Sequence, residues 1–144
     1  MNPTGIISTK ENEALLKFPV YVSLLAAMGD KKLDEAAKKS AIKFSHIKTY
    51  SCDPLLISFY EQADKVFEQN LLQLDKDLPV NNEERIAAIK NELSDLEKIV
   101  LKLGKEYTGV MHRSMKSFKD HVSKTHHNVF ADFIFPLPIK GLTY

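Results

Sequence analysis

The chain has 144 residues, of which 44% are hydrophobic and 27% charged, with a formal net charge of +1 and one cysteine. That length suits one domain able to bury ~68–70% of its unfolded surface, and the composition is globular rather than disordered. Near-neutral charge speaks against a generic polyanion binder, and the lone Cys52 excludes an internal disulfide and a cysteine-rich zinc site.

The N-terminal MNPTGIISTKENE has no basic segment leading into an apolar run, so no secretory signal is read and a cytoplasmic location is expected. Ser8 and Glu11 form a capping box, opening a short helix that should run to about Lys17. Pro19 lacks an N–H and restrains Phe18, which predicts a break at Phe18 with Pro19 in the first turn of the next helix. Phe18–Met28 is apolar except for Ser23. A helix apolar all round is a buried one, and eleven residues are too few for a bilayer, which needs ~20. This stretch is therefore expected to be the central core helix, stopped by Gly29.

The next helix should start at Asp34, with Glu35 at its positive end. Its expected inner face is Ala36, Ala37, Ser40, Ala41, Phe44 and Ile47, small enough for close approach to the core helix, with Ile42 and His46 on the far side. Asp53 and Pro54 signal another start, and that helix should present Leu56, Phe59, Ala63, Val66, Phe67 and Leu74 inward to about Leu74. Asn81 or Asn82 should cap a fourth long helix. Its seam, Ile86, Ile89, Leu93, Leu96, Val100, Leu103, Tyr107 and Val110, alternates spacings of three and four. Such a seam suits a coiled-coil dimer or the chain's own bundle, and the bundle is preferred in a single helical domain. Gly104 and Gly109 weaken its end. A break near Gly109 would open a last helix with Met111, Met115, Phe118, Val122 and Val129 as its face; a continuous helix is the alternative.

The fold expected is therefore a single all-α bundle of five or six helices spanning residues 1–144. In the closing VFADFIFPLPIKGLTY, Pro136 and Pro138 exclude helix, so 130–144 reads as an extended apolar tail that must dock. It can clasp its own bundle or reach a second copy to make a homodimer. The clasp is preferred, because a small domain gains from one more apolar layer.

No Gly-rich phosphate loop, nucleophile elbow or spaced Cys–His pair is present, so the expectation is a protein that is not an enzyme and has no firm cofactor. Charge is uneven along the chain. Residues 1–52 hold eight lysines against five acids, 53–97 four bases against eleven acids, and 98–127 seven bases against two. Neighbouring helices of opposite sign would account for this, and an anion-facing surface on the C-terminal helix is the sharper alternative. Arg113, Lys116, Lys119 and Lys124 stud that helix without aromatic interleaving, so nucleic acid is an unfavoured partner. Asp30, Asp34 and Glu35 gather three carboxylates on one turn, the donor type a hard divalent cation takes, although helix capping by Asp34 explains much of the pattern.

The apolar helix, the turn carrying Ala27, Asp30 and Leu33, and the acids Asp34 and Glu35 together make Phe18–Lys43 resemble the TerB family of tellurite-resistance-associated helical proteins. Lys31 stands in the place of that family's turn Gly, and Ala36 and Ala37 in those of its paired Glu. The resemblance implies a helical bundle, a link to stress or metal-oxyanion response, cation binding through the turn acids, and no catalytic activity. The function expected is thus a non-enzymatic module working through a partner or a weakly held ion. A second site is His121, His126 and His127, where His126-His127 with Phe135-Pro136 resembles part of the hemerythrin-like pattern, with Phe130 and Ala131 where its Glu pair would stand. A metal-binding protein using those histidines is the rival reading, and a helical interaction or nucleic-acid-associated protein the third.

Overall fold

The computed structural model describes residues 6–27 and 35–123. Among them six α-helices follow one another with no strand: α1 (Thr9–Leu15), α2 (Phe18–Ala27), α3 (Glu35–Ser51), α4 (Ile57–Asp77), α5 (Asn82–Leu101) and α6 (Lys105–Ser123), with a 3-10 turn at Pro54–Leu56 before α4. The fold is all-α, as the periodicity predicts. No helix among the described residues is long and apolar enough to cross a membrane. The Gly29 stop, Asp34 as cap, Val129 and the tail 130–144 fall outside the described residues.

The capping box forms as expected: Ser8 Oγ accepts from Glu11 N–H at 3.0 Å and Glu11 Oε1 accepts from Ser8 N–H at 3.0 Å. Glu11 also reaches Lys102 Nζ at 2.5 Å, which ties α1 to the end of α5. The Lys102 ammonium, and after it the Ser8 N–H, hold the Glu11 carboxyl below the usual range. The chain turns at Leu16 and Lys17, so Phe18, predicted as the break, is already helical and Pro19 lies in the first turn.

Every residue from Phe18 to Ala26 is buried. Ser23 survives there because its hydroxyl donates to Pro19 O at 2.7 Å, one turn back. α2 packs chiefly on α6 and also touches α5, α4 and α3. Burial of each Leu on this helix is worth ~1.5–3 kcal/mol.

The inner stripe of α3 is Ala37, Ala41 and Ser45; Ala36, expected inside, is exposed. This corrects the expected partner as well as the face. The small stripe lies mainly against α4 and α6 rather than against α2, because α6 already covers the core helix. In α4, Phe59, Ala63 and Phe67 are buried as expected, joined by Tyr60 and Leu71, while Leu74 is half-buried. Asp53 caps as predicted, its carboxylate accepting from Leu55 N–H at 2.9 Å, but it opens the 3-10 turn rather than the α-helix itself. Asn81 caps α5 through Glu84 N–H at 3.1 Å.

The break in the long seam comes at Gly104, not Gly109. Gly104 has φ +99°, a conformation that costs a residue with a Cβ roughly 1–2 kcal/mol, whereas Gly109 is buried inside α6. Three short N–H bonds close α5: Lys102 to Ile99 O, Leu103 to Val100 O and Gly104 to Leu101 O. Thr108 then fastens the start of α6, its hydroxyl 2.7 Å from Gly104 O and 3.1 Å from Val100 O. The seam is thereby divided between two helices that pack on each other and on the core helix.

Two stability measurements follow from this packing. Leu24→Ala or Leu25→Ala should lower the urea-unfolding free energy by about 2–5 kcal/mol, since each removes a fully buried side chain. Gly104→Ala should lower it by ~1–2 kcal/mol through backbone strain alone, because a Cβ there meets nothing within 4 Å; Gly104→Asn should cost less.

Candidate functional site

The C-terminal end of α3, the turn at Asp53 and the middle of α6 enclose an open cleft of about 170 Å³, lined by Lys48, Asp53, Val110, Arg113 and Ser114. One water needs only ~10–15 Å³ of such space, so a small polyatomic ligand fits. An aromatic joint sets the two helices side by side. Phe44 of α3 meets Phe118 of α6 edge-on at 4.8 Å and stacks on His121 at 4.3 Å.

Lys48 and Arg113 bring two cations to this cleft from different helices, and neither has a carboxylate within ion-pair distance among the described residues. Lys48 Nζ lies 5.4 Å from the Phe44 ring centroid, and partial burial lowers its pKa from the usual lysine value. An anion arriving here would favour the charged ammonium. Ser114 shares a hydrogen bond with the buried Tyr60 hydroxyl, where either oxygen can donate. Should Tyr60 donate, the Ser114 O–H remains for a ligand. Burial pushes the Tyr60 hydroxyl far above its ordinary range. The Cys52 thiol next to the cleft is pushed up by burial too, the opposite of what a reactive thiolate needs.

Comparison with known protein families, with characterised proteins and with solved structures finds no match to this chain. The site therefore rests on its own geometry.

The cleft is not the site expected from the turn acids or the histidines. Of the acidic turn, Asp30 and Asp34 lie outside the described residues, while Glu35 is exposed at the start of α3 and pairs with Lys38 at 3.5 Å. Of the histidines, His126 and His127 lie outside the described residues, while His121 is half-buried with its ring stacked on Phe44. Among the described residues no three His, Cys, Asp or Glu side chains come together as a metal site would require. The basic residues of α6 are split: Arg113 and Lys116 are exposed, whereas Lys119 is nearly buried and 3.2 Å from Asp120.

A second polar feature lies in the core. His112 Nε2 and Glu97 Oε1 are 2.6 Å apart, with the side chains 0% and 1% exposed. Sequence reasoning placed neither residue inside. A signal was available for Glu97, which stands four residues after Leu93 and three before Val100 on one helix face. The pair joins α5 to α6 and reaches no solvent. Removing one member of a buried pair leaves a stranded polar group and costs ~3–5 kcal/mol, whereas apolar replacement of both is often neutral. Glu97→Ala should accordingly lower stability by about 3–5 kcal/mol in urea titration, and Glu97→Leu combined with His112→Leu should recover most of that loss.

Proposed function

We propose that this protein is a non-enzymatic, TerB-like helical module that works by binding a small anionic group, free or carried on a partner, in the cleft between α3 and α6. The carrying observation is that Lys48 and Arg113 converge on one cleft from two helices, without ion-pair partners among the described residues. Lys38, Arg85 and Lys102 are neutralised by Glu35 and Asp75, by Asp75 and by Glu11, and what distinguishes Lys48 and Arg113 is that both line the same cleft. A cleft lined by two cations raises the local concentration of anions. The resemblance of Phe18–Lys43 to TerB proteins supports a place in stress or metal-oxyanion response. The cation reading of Asp30, Asp34 and Glu35 has less behind it, since the exposed Glu35 is engaged with Lys38.

Titration of ¹⁵N-labelled protein with phosphate, sulfate and acetate at constant ionic strength tests this. Saturable shifts are expected at the amides of Lys48, Asp53, Arg113 and Ser114, with affinity weakened about tenfold or more in Lys48→Gln and Arg113→Gln, as loss of a charged hydrogen bond worth ~1.5–3 kcal/mol implies. If none of the three anions moves those amides, or both variants respond like the wild type, the cleft is not an anion site.

A further inference from the structure

The cleft holds one feature that a plain anion trap would not have. Asp53 lines it together with the two cations. One carboxylate oxygen, Oδ1, accepts from Leu55 N–H at 2.9 Å, and no other hydrogen bond to the Asp53 side chain exists among the described residues, Leu56 N–H going to the Asp53 backbone carbonyl. Its second oxygen is thus an acceptor with capacity to spare, and an ionised carboxylate can only accept.

Resting on the reading that the cleft takes an anion, we infer that its ligand is a protonated tetrahedral oxyanion, hydrogen phosphate being the type, and that Asp53 selects it by accepting the ligand's own O–H. The charges agree: two cations less one carboxylate leave a net +1 facing a mono- or dianion. The shape agrees as well. A planar carboxylate ligand is satisfied by one guanidinium fork, whereas a tetrahedral ion has oxygens to spare for Lys48 on α3, Arg113 and Ser114 on α6, and Asp53 on the turn between. Sulfate is disfavoured by the same residue, since at neutral pH it has no proton to give and its oxygen would face the Asp53 carboxylate. A phosphate monoester, whose second pKa is ~6, has also lost its last proton at pH 7. Inorganic phosphate, with one more acidic hydroxyl, keeps one.

Calorimetric titration of the full chain at pH 7 with sodium phosphate, sodium sulfate, methyl phosphate and sodium acetate, at equal ionic strength, decides this. Phosphate should bind about tenfold or more tightly than sulfate, the worth of one unpaired charged acceptor, with methyl phosphate following sulfate. Asp53→Asn should bring sulfate to within a few-fold of phosphate, because the amide can donate to it; Asn caps as well as Asp, so the turn is retained. Sulfate, methyl phosphate or acetate binding the wild type as well as phosphate overturns the selection while leaving the anion cleft standing. The same holds for an Asp53→Asn protein, folded by its melting temperature, that keeps the wild-type preference. Heats absent for all four probes overturn the cleft and the selection together.

Discussion

Enclosure of α2 is the constraint on which the other helices depend. A helix with no solvent side must be covered all round, so each neighbour has to offer it an apolar stripe. α6 supplies the largest, with Met111, Met115, Phe118 and Val122 fully buried. With α6 in that place, α3 is displaced outward onto α4 and α6, and its small stripe of Ala37, Ala41 and Ser45 serves those helices instead. The backbone of α2 satisfies itself by helical hydrogen bonding, and Ser23 does the same through Pro19 O. The Tyr21 hydroxyl is the other polar group on the helix, and burial pushes its pKa up to about 12.

Around that apolar centre, partly buried polar contacts define how neighbouring helices align. Arg85, 4% exposed, donates to Asp75 Oδ1 at 2.5 Å, to Asp75 O at 3.2 Å and to Pro79 O at 3.4 Å, so one guanidinium on α5 gathers the end of α4 and the loop after it. Asp75 also lies 3.9 Å from Lys38, which extends the link to α3. Ser45 Oγ donates to Asp64 Oδ1 at 3.1 Å between α3 and α4, and Asn12 donates to Gln62 at 3.1 Å between α1 and α4. Apolar faces slide past one another at modest cost, whereas a shift of one residue would break several of these bonds at once.

The candidate site lies where α3 and α6 meet. The α3–α6 contact is made by aromatic rings, Phe44 on Phe118 and His121, and just beyond it the helices part around Lys48, Asp53, Arg113 and Ser114. Rigid rings on one side and the capped 3-10 turn on the other fix the backbone from which these side chains extend.

Local chemistry was enough to read much of this molecule from its sequence. The capping box at Ser8 and Glu11, the caps at Asp53 and Asn81, and the total burial of Phe18–Ala26 depend on neighbours within a few residues or on one segment's composition, and all were legible. Which glycine breaks the long seam was not, because Gly104 and Gly109 cost a helix alike until the chain must turn back, and only Gly104 takes a positive φ. The face of α3 was misjudged for a related reason: small residues mark a close contact without naming the partner, and competition among helices for the core chose it. Glu97, His112, Arg85 and Tyr60 look like surface residues to a composition scan, since burial of a polar side chain depends on a partner 10 to 54 residues away. The cleft lay furthest out of reach. Asp53 was visible as a cap and Arg113 as one of a basic series, but bringing them together with Lys48 required α6 to return alongside α3, some sixty residues later in the chain. Sequence determines what each helix must bury; packing alone decides which unburied charges end up facing one another.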